Sequence, residues 1–341
     1  MQINKIPTGF LFTNEYDRGQ LETLSIGDYG KANNIKADFL GYCNEINGVA
    51  NQPCQPLSEK WVITLSTQYG CPQKCRFCDV PKMGYRGNAT FDDLYNQLKN
   101  AISVFGPGAC SYTERMNIHF ARMGEPIYNQ NVFDFAEWMY RNKRQIKRDT
   151  GVSIETLHPV LTTSLPTGFK LLEARLQRWC QIKNDLYNGQ AGLQLSINST
   201  SNEQRDYMFQ GGSIPLEEIA AIADRLPEPV SRKYCLNFAY ASDYEVDGAR
   251  LAQLFDPEKF MCKITPIHNN TACRENKIET IDGYSNYQAY KKPEDSLKAA
   301  GFDVLVFVPS MDEEDGLVTC GNLVLSGSEI KASDIIQIKG L

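Results

Sequence analysis

The sequence predicts an α/β fold, a partial or full (β/α) barrel preceded by a short N-terminal extension. Three observations carry this. Strand-like runs alternate with helix-like segments from residue 61 onward, the β-then-α unit repeats along most of the chain, and the polar motifs follow the strands directly. Repeated β-then-α units imply parallel strands with right-handed crossovers. In such a barrel the site lies at the C-terminal ends of the strands.

Trp61–Ser66 is β-rich and leads straight into a cysteine loop, and Phe91–Val104 follows as a helix. Thr90 is its N-cap, with Asp92 and Asp93 in the first turn where the helix dipole favours them. Strands are then expected at Met116–Ala121, His158–Thr163, Leu193–Ile197, Tyr234–Ala239, Cys262–Ile267 and Val304–Val308. Helices are expected at Val132–Lys147, Lys170–Ile182, Asn202–Phe209, Leu216–Leu226, Gly248–Phe255 and Tyr284–Ala300. Residues 1–60 fit no repeat unit and read as an extension or cap. Residues 61–310 form the barrel core, and residues 311–341 a C-terminal loop and tail.

Apart from its cysteines the composition is ordinary. The chain of 341 residues is 42% hydrophobic and 22% charged, within the usual range for soluble globular domains. No apolar run approaches the ~18 residues of a membrane span, and the first residues do not read as a signal peptide. The expectation is a cytoplasmic protein without membrane partners, in which thiols stay reduced. Its eleven cysteines therefore read as ligands, nucleophiles or core rather than disulfides. Net charge is −6, which counts against extensive phosphate contacts and so against RNA, without excluding it. Arg141, Lys143, Arg144, Lys147 and Arg148 form one basic run, best read as a solvated helix end.

The chemistry starts at Cys71, Cys75 and Cys78, in a C-x3-C-x2-C run with no fourth cysteine nearby. A structural zinc or a closed cluster wants four protein ligands. Three thiolates at this spacing suit an iron–sulfur cluster that keeps one iron open, and zinc with a distant fourth ligand is the alternative. Phe77 beside the last cysteine supplies an apolar flank, which tunes a cluster's potential.

This run is the signature of the radical S-adenosylmethionine (SAM) superfamily, which the chain resembles from about residue 61 to residue 325. The resemblance implies the partial barrel of that superfamily and a [4Fe-4S] cluster on Cys71, Cys75 and Cys78. It also implies SAM on the open iron, cleaved to a 5′-deoxyadenosyl radical, and an electron donor such as flavodoxin or ferredoxin. Lys82, Gly84, Asn88 and Thr90 match the spacing of the RNA adenine methyltransferases of the RlmN and Cfr type. Met123-Gly124-Glu125-Pro126 looks like that family's Gly-Met-Gly-Glu-Pro, and Leu195-Ser196-Ile197-Asn198 with Arg205 like its Leu-Ser-Leu-His and trailing Arg. Cys262–Asn270 resembles the strand that supplies an Asn to the SAM ribose, and Thr162 takes the place of a family serine. Gly124, Glu125, Thr162, Ser196, Asn198 and Asn270 are thereby implied to hold SAM.

Glu313–Leu323 resembles the acidic loop and Cys-Gly-Gln-Leu that carry the family's methyl-accepting cysteine, here Cys320. An electron-poor aromatic carbon cannot take a methyl group from SAM directly. A methylated thiol turns the transfer into a radical addition. The family's second cysteine, seven residues before the first cluster ligand, is Thr64 here. A hydroxyl cannot resolve the adduct on Cys320. Three accounts stay open: another cysteine such as Cys54 or Cys110 resolves it, a different acceptor needs no disulfide, or the methyl cycle does not run. The function implied is methylation of an unreactive sp2 carbon, as in RNA adenine. The alternatives are the same chemistry on a small molecule or peptide, and a non-catalytic iron–sulfur protein. His119 and His158 fall in strands and read as core imidazoles, whereas His268 lies at a strand end and is a candidate to face substrate.

Overall fold

In a computed structural model the structure describes residues 2–6, 9–27, 56–280, 288–307 and 335–336. Among the described residues eleven strands form one sheet: β1 (Gln2–Ile6), β2 (Gly9–Tyr16), β3 (Gly19–Gly27), β4 (Lys60–Leu65), β5 (Tyr112–Phe120), β6 (Ser153–Thr163), β7 (Gly192–Ser196), β8 (Tyr234–Tyr240), β9 (Phe260–Pro266), β10 (Val304–Val306) and β11 (Ile335–Ile336). The helices are α1 (Phe91–Ser103), α2 (Gln130–Arg141), α3 (Lys143–Thr150), α4 (Leu172–Gln181), α5 (Asn202–Phe209), α6 (Leu216–Asp224), α7 (Gly248–Leu254), α8 (Thr271–Glu275) and α9 (Gln288–Ala299).

Strands β4 to β10 run parallel in sequential order, the connectivity of a (β/α) barrel. Among the described residues the edges β10 and β11 do not pair, so the barrel is partial and its sheet open. Alternation sets the two faces. Ile63, Leu65, Ile118, Phe120, Leu161, Leu193, Leu195, Leu236, Phe238 and Ile264 are buried in the main core on one face. Their neighbours on the other face include Thr64, His119, Thr162, Gln194, Ser196, Asn237, Lys263 and Thr265, all half-buried. The apolar face packs on the helices, and the polar face lines the mouth of the barrel.

Helix starts follow local chemistry. Thr90 accepts from the Asp93 amide while the Asp93 carboxylate accepts from the Thr90 amide, a complete capping box. The expected single helix over 132–147 is two helices broken at Asn142, whose backbone (φ −120°, ψ 27°) leaves the helical region. α2 buries an apolar stripe, whereas α3 buries Ile146 alone and exposes most of the basic run. The segment after α4 continues as one π-helical stretch, Ile182–Leu186.

The N-terminal strands continue the same sheet. β1–β2, β2–β3 and β3–β4 pair antiparallel, and Ile3, Phe12 and Leu21 enter the main core. Polar groups seal the junction: the Trp61 indole donates to Ser25 Oγ (2.8 Å), and the Gln97 amide on α1 bonds both the Ser66 amide and its carbonyl.

Candidate active site

The cysteine loop leaves β4 at its C-terminal end, as the barrel rule requires. Cys71, Cys75 and Cys78 are free thiols, partly open to solvent. Burial raises all three thiol pKa values, that of Cys78 to about 11, and Cys71 and Cys75 are raised further by the charge of Cys78. Three desolvated thiolates in one another's field are destabilised unless a cation joins them. A cluster supplies that positive charge, and metal binding is coupled to thiol deprotonation. Among the described residues no three His, Cys, Asp or Glu side chains converge on one metal-ion position. A cluster takes one thiolate per iron, so its ligands need not converge on one point. The donor set fits a [4Fe-4S] group by number, softness and electrostatics.

The loop is held on three sides. Gly70 has φ +73°, and a Cβ there would lie 1.5 Å from the Gly84 carbonyl oxygen, so only glycine fits. Phe77 meets Phe209 edge to face at 5.5 Å, and the Arg76 guanidinium lies 4.2 Å over the Tyr207 ring. Cys75 and Phe77 pack against Met208, Phe209, Ala241, Tyr244, Ile267, Cys273 and Ile278, which makes the flank of the loop apolar. The apolar environment read from Phe77 is therefore larger than the sequence suggested.

The Gly124–Glu125 turn ends β5 beside this loop. Gly124 has φ +93°, and its close approach is to Gln68, whose Cβ would lie 2.4 Å from an added Cβ. The side-chain Oε1 of Gln68 accepts from the Glu125 amide (2.8 Å), and its Nε2 donates to Asn88 (2.8 Å). Asn88 in turn donates to the Tyr128 carbonyl, which binds the family-matched segment after the cysteines to the turn. Glu125 is 4% exposed. Its Oε2 accepts from the Ser164 amide and hydroxyl, both at 2.7 Å, and its Oε1 from the Ile127 amide at 3.1 Å. Burial raises the Glu125 pKa, and these hydrogen bonds oppose the rise. A carboxylate has about four acceptor positions, so capacity is left for an ammonium.

Thr162 is half-buried on the polar face and donates to Gln194 Oε1 (3.2 Å). Ser196 lies one strand on, and its carbonyl accepts from Arg205 (3.0 Å). Arg205 is 2% exposed and also donates to the Ile197 and Ile214 carbonyls and to Ser213 Oγ. Burial lowers its pKa to about 9. Asn198 is buried with φ +63°, and its Oδ1 accepts from the Ala239 amide (3.0 Å), so its amide ties the end of β7 to β8. Asn270 caps α8 through Oδ1 and donates from Nδ2 to the Phe77 carbonyl (2.8 Å). Gly124 and Glu125 thus follow β5, Ser196 ends β7 and Asn270 follows β9, with Thr162 near the end of the intervening β6. Asn198 and Asn270 spend much of their bonding capacity on protein partners.

Sequence reasoning missed Gln68, Ser164 and the buried ion pair of Glu22 with Arg122 (3.2 Å). Glu22 lies close enough to act electrostatically on Cys78. A Ser directly after a predicted strand end was the one available signal for Ser164. Cys320 and Cys54 lie outside the described residues. Cys110 precedes β5, at the opposite end of that strand from the turn at Gly124, roughly 25 Å away at strand rise. It cannot reach the mouth as a resolving thiol. His158 is buried in β6 but by alternation lies on the same face as Thr162, and His119 lies half-buried on that polar face beside Thr64. His268 follows β9 and is half-buried.

No protein-family model matches the chain. In sequence it is 25% identical over 247 residues to the dual-specificity RNA methyltransferase RlmN of Desulfosudis oleivorans, covering 71% of this chain and 56% of that protein. It is 24% identical over 272 residues to the RlmN of Sorangium cellulosum, covering 78% of this chain and 62% of that protein. The chain thus spans somewhat over half the length of these relatives. In fold it is similar to a radical SAM methyltransferase from Sphaerobacter thermophilus, with a TM-score of 0.62 and 16% identity over 92% of this chain and 76% of the other. The resemblance drawn from the motifs is met in sequence by RlmN proteins and in fold by a radical SAM methyltransferase. Among the described residues no helix is long and apolar enough to cross a membrane.

Proposed function

We propose that the chain is a radical SAM enzyme that methylates an unreactive sp2 carbon, as in RNA adenine, through Cys320. The observation that carries this is the three-cysteine loop at the end of β4, with Gly124 and Glu125 after β5, Ser196 at the end of β7 and Asn270 after β9 at the same end of the sheet, in a chain similar to RlmN. When bound, the cluster supplies the electron that splits the sulfonium bond of SAM. Cys71, Cys75 and Cys78 hold it, and Phe77 and Phe209 keep water from its flank. Glu125, fixed by Ser164, accepts from the SAM ammonium. Gly124 lets the turn pass Gln68, and Thr162 and Ser196 offer hydroxyls from the polar face. Asn198 and Asn270 hold the strand ends in register, and Asn270 keeps one amide hydrogen for the ribose. The protein works in the cytoplasm with a small electron-transfer partner such as flavodoxin or ferredoxin.

A second reading is favoured by one observation. Thr64 stands on the polar face beside His119, where the family's resolving thiol would be needed. A small-molecule or peptide acceptor, released without a disulfide, accounts for that change and for the net charge of −6. Mass spectrometry of the Cys320 peptide after incubation with SAM tests the carrier step. An S-methyl group supports it, and a clean free thiol sinks it. Retention on RNA that falls steeply with salt supports the RNA acceptor. Absent or salt-insensitive retention favours the small acceptor.

A further inference from the structure

The segment after β9 grips the cysteine loop by its backbone. Asn270 Nδ2 donates to the Phe77 carbonyl at 2.8 Å, and the Cys273 thiol approaches the same oxygen at 3.6 Å. Asn276 Nδ2 donates to the Arg76 carbonyl at 3.0 Å and to the Ala272 carbonyl at 2.9 Å. Outside these, Lys82 Nζ bonds Glu275 at 2.7 Å. From the opposite side the Arg76 amide donates to the Met208 carbonyl at 2.7 Å, and the Tyr207 hydroxyl donates to the Asn276 carbonyl at 2.9 Å. Two consecutive carbonyls, those of Arg76 and Phe77, are thus held just before the third cluster ligand by side-chain amides nearly two hundred residues away in sequence.

On the radical SAM reading proposed above, we infer that Asn270 and Asn276 are positioning residues that clamp the Arg76–Cys78 segment in its cluster-binding conformation. The physical reason is directional. Carbonyls turned outward onto the two amides leave the intervening peptide planes fixed, and with them the direction of the Cys78 side chain. The Lys82–Glu275 pair is exposed and adds little. The amides, half-buried and paired to backbone, carry the grip. An apolar flank without them would keep the loop dry while leaving its peptide planes free to turn.

Aspartate separates the clamp from the helix cap. Asn270→Asp keeps the oxygen that accepts from the Cys273 amide, and Asp is as good an N-cap as Asn, but it has no hydrogen for the Phe77 carbonyl. Asn276→Asp likewise keeps shape and loses both donors, whereas Asn276→Gln keeps the donors. The measurement is the rate of iron release to a chelator from the anaerobically reconstituted full chain. Ile146→Ala in distant α3 serves as a control for general destabilisation. Each Asp variant is expected to release iron about three- to tenfold faster than wild type, as fits loss of one or two hydrogen bonds. Asn276→Gln should return most of the way to wild type, and Ile146→Ala should release at the wild-type rate despite a lower melting temperature. A stable wild-type cluster with unchanged release from both Asp variants overturns the clamp alone, as does equal acceleration by Ile146→Ala. A wild-type protein that holds no more iron than Cys71→Ala overturns the cluster reading itself.

Discussion

Gly124 and Gln68 are in contact so close that a Cβ on Gly124 would lie 2.4 Å from the Cβ of Gln68 and 2.9 Å from its amide nitrogen. This pair joins the ends of β4 and β5, because Gln68 also accepts from the Glu125 amide. Gly124→Ala meets both the clash and the positive φ. It should destabilise the fold by at least about 2 kcal/mol in denaturant unfolding. SAM affinity, read by calorimetry on the holoprotein, should fall with it, since the turn carries Glu125.

Glu125→Gln replaces one acceptor oxygen with an NH2 group that faces the Ser164 donors or the Ile127 amide. A buried donor is then left against another donor, at a cost of about 1–3 kcal/mol. Ser164→Ala removes the hydroxyl and keeps the amide, so its cost should be smaller, about 0.5–1.5 kcal/mol. Thermal and denaturant unfolding of the two variants check the order.

Arg205 donates to three backbone carbonyls around Ser196 and Ile214 from a site 2% exposed. Lysine keeps the charge without the planar fork, so Arg205→Lys should cost about 2–4 kcal/mol and weaken SAM binding through the β7 end. Equal stability of Arg205→Lys and wild type in denaturant would remove this role.

His158 links stability to pH. It is 6% exposed, and burial, then the charges of Arg115 and Arg232, push its pKa from 6.5 down to about 3. Below pH 6.5 the unfolded chain takes up a proton that the native state refuses. Its contribution is therefore complete above that pH and is lost as pH falls toward 3, by up to about 1.4 kcal/mol per pH unit. His158→Gln should flatten the acid limb of a stability-against-pH curve. An unchanged limb would show that other groups carry it.

Much of this architecture is legible in the sequence because its causes are local. Thr90 with Asp93 starts α1 by a short-range bond, and Asn202–Phe209 is bounded by Ser201 and its own pattern. The cysteine loop is legible because ligand spacing is a local property. The three N-terminal strands escaped the reading of residues 1–60 because they lack the β-then-α alternation. Asp17-Arg18, followed by Gly19 at the start of the next run, was the hairpin signal there. Asn142 breaks a helix whose polar run gave no strong reason to stop. Least legible are Gln68 against Gly124, Ser164 against Glu125 and Asn270 against Phe77. Each joins residues distant in sequence, and for Asn270 the partner is a backbone carbonyl, which no side-chain pattern marks.

If Cys71, Cys75 and Cys78 hold a cluster that cleaves SAM to a radical, as proposed, 5′-deoxyadenosine is the direct product. The direct measurement is 5′-deoxyadenosine, quantified by mass spectrometry after anaerobic reconstitution, reduction and addition of SAM. Wild type should form it and Cys71→Ala should not. Wild type with a full iron complement that forms no more 5′-deoxyadenosine than Cys71→Ala would contradict the account.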